Sequence, residues 1–222
     1  MNTILIVHIV MTIAVYMITK KIYQRFPSPF LTPIFLSTVL IMAILIFRDV
    51  PYSQYEPAKN VITYALGPAT VALAVPIYKN RKFILKHGLA AGVSLILGST
   101  VAVVISLIMA HLFQITKSVS VSLSVKSATV PIALEIASLN QGDLALAAIF
   151  VMVTGMIGAM FGPRLLNITN ISDPMARGLA IGTIAHGIGT AQIAREGEIQ
   201  GAVAGSAMAL TGVYLSIFLW VF

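Results

Sequence analysis

Long unbroken apolar runs constrain this chain more than any motif does. They lie at about 2–19, 30–47, 61–78, 88–112, 142–162, 174–194 and 198–222, and each is long enough, or nearly so, for the ~20 residues a helix needs to cross the hydrocarbon core. Leu, Ile and Val occur in blocks rather than at alternate positions, which argues against a β-barrel, whose strands alternate lipid-facing and lumen-facing residues. The expected fold is therefore all-α: a single polytopic transmembrane helical bundle with broken or re-entrant helices over residues 1–222. With 58% hydrophobic and 9% charged residues, the chain is too apolar for an ordinary soluble domain.

The formal net charge of +7, from 14 Lys and Arg against 7 Asp and Glu, does not imply a nucleic-acid partner. The basic residues sit in short loops between apolar runs, where they set orientation in the bilayer. Lys20, Lys21 and Arg25 follow the first run, and Lys79, Arg81, Lys82 and Lys86 follow the third. Both loops are expected in the bacterial cytoplasm, which puts the N-terminus outside. The C-terminus lies inside if every later run crosses fully. The first run lacks the basic start of a cleaved signal peptide and is expected to be retained. Cysteine is absent, so disulfides and thiolate metal sites are excluded.

Several segments carry chemistry that lipid alone would not tolerate. In IGTIAHGIGTAQIAREG, residues 181–197, His186 stands among glycines, and an imidazole placed in hydrocarbon must find a partner. Gly187 and Gly189 are expected to loosen the helix there, as Gly67 and Pro68 are in the third run. Unwound backbone at membrane depth requires protein or a polar cavity around it. The amino ends of half-helices suit a carboxylate. His186 has two readings, a hydrogen-bonded packing residue or a group for substrate contact or proton linkage. No second His or carboxylate stands at i+4, so no metal site is expected.

The second concentration is KSATVPIALEIASLNQGD, residues 126–143. Residues 127–139 read as a short helix dipping into the protein, with Pro131 in its first turn. The preceding SVSVSLSV, 118–125, has the period of an extended strand. Glu135 is either a buried carboxyl that carries a proton or a surface carboxylate, solvated or paired with Lys126. Gly155, Gly158 and Gly162 form one small-residue face and Gly197, Gly201 and Gly205 another. Both are expected to pack helices within the subunit, with homo-oligomerisation as a lesser role.

Short echoes pair LGPATVALA, 66–74, with IGTAQIARE, 188–196, and SPFLTPI, 28–34, with SATVPI, 127–132. They point to an inverted internal repeat with halves 20–112 and 118–222. No phosphate-binding loop, nucleophile elbow or zinc motif is present, so neither an enzyme nor a cofactor is expected.

KSATVPIA, TGMIGAMFGPRLL, DPMARGLAIGTIAHGIGTAQIAREGE and LGPATVALAVPIY together are similar to the LrgB/CidB family of bacterial membrane proteins. The resemblance implies a smaller LrgA/CidA-type membrane partner. It also implies one of two functions: holin-like control of murein hydrolase activity and lysis, or transport of small carboxylates, with a plastid relative moving glycolate and glycerate and bacterial members linked to pyruvate. Its motif falls on Lys126, Ser127, Thr129 and Pro131, on His186, Gly187, Gly189 and Thr190, and on Gly67 and Pro68. The preferred expectation is a proton-coupled secondary transporter of a small monocarboxylate, with Glu135 or His186 as the proton-linked group. The alternative is a holin-like protein assembled through the Gly197, Gly201 and Gly205 face.

Overall fold

The computed structural model describes residues 2–26, 28–65, 68, 71, 74–79 and 81–220. Every regular element among them is helical. Two compact units divide the chain at residue 74, Met1–Ala74 and Val75–Phe222; the expected repeat halves would instead meet near residues 112–118.

The first unit contains α1 (Asn2–Arg25), α2 (Pro33–Phe47) and α3 (Tyr52–Tyr64). Helix α2 starts at Pro33, where the missing amide hydrogen costs nothing, after Thr32 in an extended conformation. Thr129 is extended at the start of α8, but there Val130 stands between it and Pro131, so the prolines of SPFLTPI and SATVPI sit at different positions of their helix starts. Helix α1 holds α2 through a bond from Thr19 Oγ1 to the Pro33 carbonyl, 3.4 Å. It holds α3 through His8 Nδ1, which donates to the Gln54 carbonyl at 3.2 Å.

The third expected span, 61–78, lies partly outside the described residues, and its first residues form the end of α3. That helix begins at Tyr52, after extended Pro51, and ends at Tyr64, where Ala65 N–H bonds back to the Ile62 carbonyl. Its residues YSQYEPAKNVITY are largely polar. Gly67 and most of 66–74 lie outside the described residues, and Pro68 is exposed.

Short helices α4 (Ala74–Lys79) and α5 (Arg81–Lys86) carry the basic cluster into the second unit. There follow α6 (Gly88–Leu112), α7 (Lys117–Ser124), α8 (Val130–Leu139), α9 (Leu144–Ile168), α10 (Pro174–Ile193) and α11 (Glu198–Phe218). Among the described residues four helices are long and apolar enough to cross a membrane: α1, α6, α9 and α11. Asp143 and Asp173 start α9 and α10 by accepting from the N–H groups of Leu146 and Ala176, at 2.9 and 2.7 Å, as capping carboxylates do.

Residues 118–125 are not a strand. Most of them form α7, and the serines that supplied the alternating pattern bond within it: Ser122 Oγ to the Ser118 carbonyl and Ser124 Oγ to that of Val121. Ser122 also bonds the Asp143 carbonyl at 2.8 Å. Tertiary packing on α6 and α9 has overridden the local pattern.

Run 174–194 does not cross either. At His186 the backbone leaves the helix, with φ 39° and ψ −139°, and the chain folds back. The register proves the reversal. A Cβ on Gly178 would strike the Gln200 carbonyl oxygen and one on Gly182 that of Ala204, at 2.6 and 2.3 Å, so the first leg runs parallel to α11. On the second leg Thr190 Oγ1 points back to the same Ala204 carbonyl, and Gly201 packs on Ala194. Residues 182 and 190 thus meet one carbonyl from two directions, with His186 midway. Helix α11 then starts at the end where α10 began and runs the length of the unit. Its Leu219 joins Leu107 and Ala110 of α6 in one cleft, so α11 finishes at the Leu112 end of the bundle.

Candidate functional site

Two re-entrant hairpins enter the second unit from opposite ends. The first is α7–α8, with residues 125–129 at its tip; the second is α10, with His186 at its tip. The first leg of α10, residues 174–185, is about 18 Å long at 1.5 Å per residue, roughly half the ~30 Å hydrocarbon core.

Helix α9 brings the tips to one level. His186 Nε2 donates to the Val151 carbonyl at 2.8 Å. Since a carbonyl only accepts, the imidazole proton sits on Nε2. The Val151 side chain belongs to the core cluster around the first tip, with Val125, Ala128, Ala133 and Ala137. Small residues make the approach possible. A Cβ on Gly155 would lie 2.5 Å from His186 Cε1, one on Gly158 2.3 Å from Ala185 Cβ, and one on Gly162 2.4 Å from Ile181 Cδ1. All three glycines therefore seat the first leg of α10 against α9. Gly187 faces Met208, and Gly189 faces Ala185 across the fold-back.

At the first tip Lys126 reaches α6. Its ammonium donates to the Ala102 carbonyl at 3.1 Å and to the Ser106 hydroxyl. Ala102 is about 15 Å along α6 from Leu112, so this cation is held deep in the unit. Among the described residues no acidic side chain pairs with it; the ion pair present is Arg177–Glu196. Ser127 is 3% exposed, and its hydroxyl has no partner among the described residues. Thr129 caps α8 with no side-chain bond, and Pro131 is the second helical residue, exposed on its outer side. The amino end of α8, with its partial positive charge, therefore stands beside Lys126 and Ser127.

Three further buried hydroxyls lack a partner among the described residues: Ser99 of α6, Thr183 of α10 and Thr211 of α11. A methyl carbon of Thr183 faces Gly98, next to Ser99, and Gly212, next to Thr211, packs on Ile132 at the start of α8. A buried polar group left unpaired costs about 1–3 kcal/mol. Four such groups are enclosed within the second unit, and none of them lines its cleft at the Leu112 end.

Other expected residues fall elsewhere. Glu135 is exposed, on the side of α8 opposite Ala133, Ile136 and Ala137. Of its two readings the solvated carboxylate fits this position, and Lys126 is held by α6 instead. Thr190 is 2% exposed and lies on the α11 side, 3.5 Å from the Ala204 carbonyl. Gly201 and Gly205 are buried, whereas Gly197 stands against its own helix's Gln200.

Ser99, Ser106, Thr211 and Arg177 were missed by the sequence reading. For α6 a signal existed: Ser99 and Ser106 are seven residues apart, on the face that buries Leu95, Val103 and Ala110. Arg177 had none. It closes the base of the second hairpin through two bonds to the Glu196 carboxylate, 2.7 and 2.8 Å, and one to the Ile171 carbonyl, 2.8 Å.

These features define a polytopic α-helical membrane protein in which re-entrant hairpins carry polar groups to mid-depth. Within that class the chain belongs to the LrgB-like family, whose sequence profile matches residues 12–222. It is 34% identical over 221 residues to YxaC of Bacillus subtilis (strain 168), covering 98% of this chain and 96% of that one. It is 31% identical over 208 residues to YwbG of the same organism, covering 94% and 92%. Both relatives are described as uncharacterized. No solved structure matches.

Proposed function

We propose that the protein is a secondary transporter of small monocarboxylates such as pyruvate, lactate, glycolate or glycerate. One observation carries the reading: half-buried Lys126 has a carbonyl and a hydroxyl for partners but, among the described residues, no carboxylate. An ionisable group so placed normally pairs or serves a substrate path. A bound carboxylate would complete the ammonium, the Ser127 hydroxyl and the amino end of α8 with charge-assisted bonds. The partnerless hydroxyls of Ser99, Thr183 and Thr211 suit the substrate's keto or hydroxyl oxygen. Of the two proton-coupling candidates His186 is the better placed, because it stands at a tip. No covalent step is involved, and one hairpin region moves against the other to alternate access.

If the basic α4–α5 region is cytoplasmic, α6 runs outward, the α7–α8 hairpin enters from outside and the α10 hairpin from inside. The C-terminus is then outside, not inside, because α10 returns to its own side. In the alternative reading, holin-like control of lysis, Gly197, Gly201 and Gly205 would serve as an assembly face, although Gly201 is packed on Ala194 of the same chain.

The test is uptake of labelled pyruvate and glycolate into proteoliposomes, with and without an inward proton gradient. The wild-type chain should give saturable uptake that rises with the gradient, and Lys126→Gln should abolish it while assembly stays normal. Equal uptake by Lys126→Gln would remove the proposed site. Silence of the wild-type chain, alone and with an LrgA/CidA-type partner, would move the reading to lysis control.

A further inference from the structure

A cleft of about 520 Å³ opens at the Leu112 end of the second unit, between α6, α7, α8 and the end of α11. Its polar lining comes from His111, Lys117, Ser120, Ser124, Asn140 and Gln141, with no Asp or Glu among the lining residues. Lys117 is the first residue of α7. A cation there adds to the partial positive charge of the helix's amino end, a placement that disfavours the isolated helix. Lys117 is exposed, so its charge acts on the cleft rather than on the core.

The floor of the cleft leads toward the first hairpin tip. Ser124, 3% exposed, lines it and stands two residues before Lys126. Leu107 lines it too and adjoins Ser106, to which the Lys126 ammonium is bonded. A positive mouth thus opens above a deeper cation, along α6.

We propose that this cleft is an anion-collecting vestibule, a second and weaker site for small carboxylates, with Lys117 as the residue that concentrates them. The cleft selects by charge: amide and hydroxyl groups bind a carboxylate without fixing its identity, and Lys117 raises its local concentration. The inference rests on the carboxylate-transport reading for what the vestibule feeds, but its electrostatics can be measured separately.

Because the chain has no cysteine, Ser120→Cys places a single thiol in the cleft. Its modification rates by an anionic and a cationic methanethiosulfonate, each scaled to a free thiol, report the local potential in the full chain in proteoliposomes. The anionic reagent should be favoured at low salt. Adding Lys117→Gln should slow it by about three-fold, the Coulomb effect in water of one charge a few ångströms away, and high salt should erase the difference. In uptake assays Lys117→Gln alone should raise KM by a similar factor at unchanged kcat. No charge preference at Ser120→Cys, or a preference indifferent to Lys117→Gln, overturns the proposal whatever uptake does. An unchanged KM in an active transporter also overturns it. A Lys117-dependent preference in a chain that transports no carboxylate supports the anion-collecting cleft and counts against the transport reading alone.

Discussion

His186 occupies a backbone region that side-chain-bearing residues rarely adopt, φ 39°. Strain of that kind costs roughly 1–3 kcal/mol. It is held by the bond to Val151 and by the space that Gly155 leaves open. His186→Gly should therefore keep the fold, since it relieves the backbone while it loses the ring. His186→Val should lower thermal stability sharply, because a β-branched residue fits that φ worst; detergent-solubilised melting curves check the order. Gly155→Ala and Gly182→Ala should each destabilise by about 1–3 kcal/mol, as their new methyl groups would meet the His186 ring and the Ala204 carbonyl oxygen. Ser127→Ala should lower kcat/KM for carboxylate about ten-fold, the value of one bond to a charged group, and leave the melting temperature unchanged, because the hydroxyl has no partner among the described residues to lose.

Among the elements, the hairpins divide what was legible from what was not. Pro131 and the apolar run after it announced α8, and the glycines around His186 announced a break. Broken or re-entrant helices are expected from these signals, but not a reversal at His186 in particular, because a kinked spanning helix and a folded-back one have the same local sequence. Only the paired registers to Ala204 and Gln200 separate them. Alternating serines misled at α7 because a serine hydroxyl bonded to its own helix, or to a neighbouring carbonyl, is compatible with an apolar interior. Lys126 was legible as an unexpected charge, but its seat on Ala102 and Ser106 depends on how α6 packs. The base of the second hairpin is closed by Arg177 and Glu196, whose side chains are 8% and 29% exposed. A double-mutant cycle with Arg177→Ala and Glu196→Ala should give a coupling energy of roughly 1–3 kcal/mol; values near zero would mean that the pair does not hold the hairpin's base.

Across the whole second unit, α6 and α11 finish at one end while α9 and α10 present their polar loops at the other. Single cysteines in this cysteine-free chain make that arrangement measurable with impermeant thiol reagents. Gln114→Cys and Trp220→Cys should label from the same side of the membrane, and Asn170→Cys from the opposite side. Labelling of Trp220→Cys together with Asn170→Cys would mean that α10 crosses after all. The fold-back of α10 also bears on how the chain is made. Gly178, Gly182, Thr190 and Ala194 on both legs rest on residues 200–204, which leave the ribosome after the whole hairpin. A nascent chain halted near Gly197 would present an incompletely buried 174–193 segment to the insertion machinery, with α6 and α9 but not α11 to lean on. The hairpin is then expected to settle only once α11 has emerged, so that the order of synthesis fixes the order of assembly.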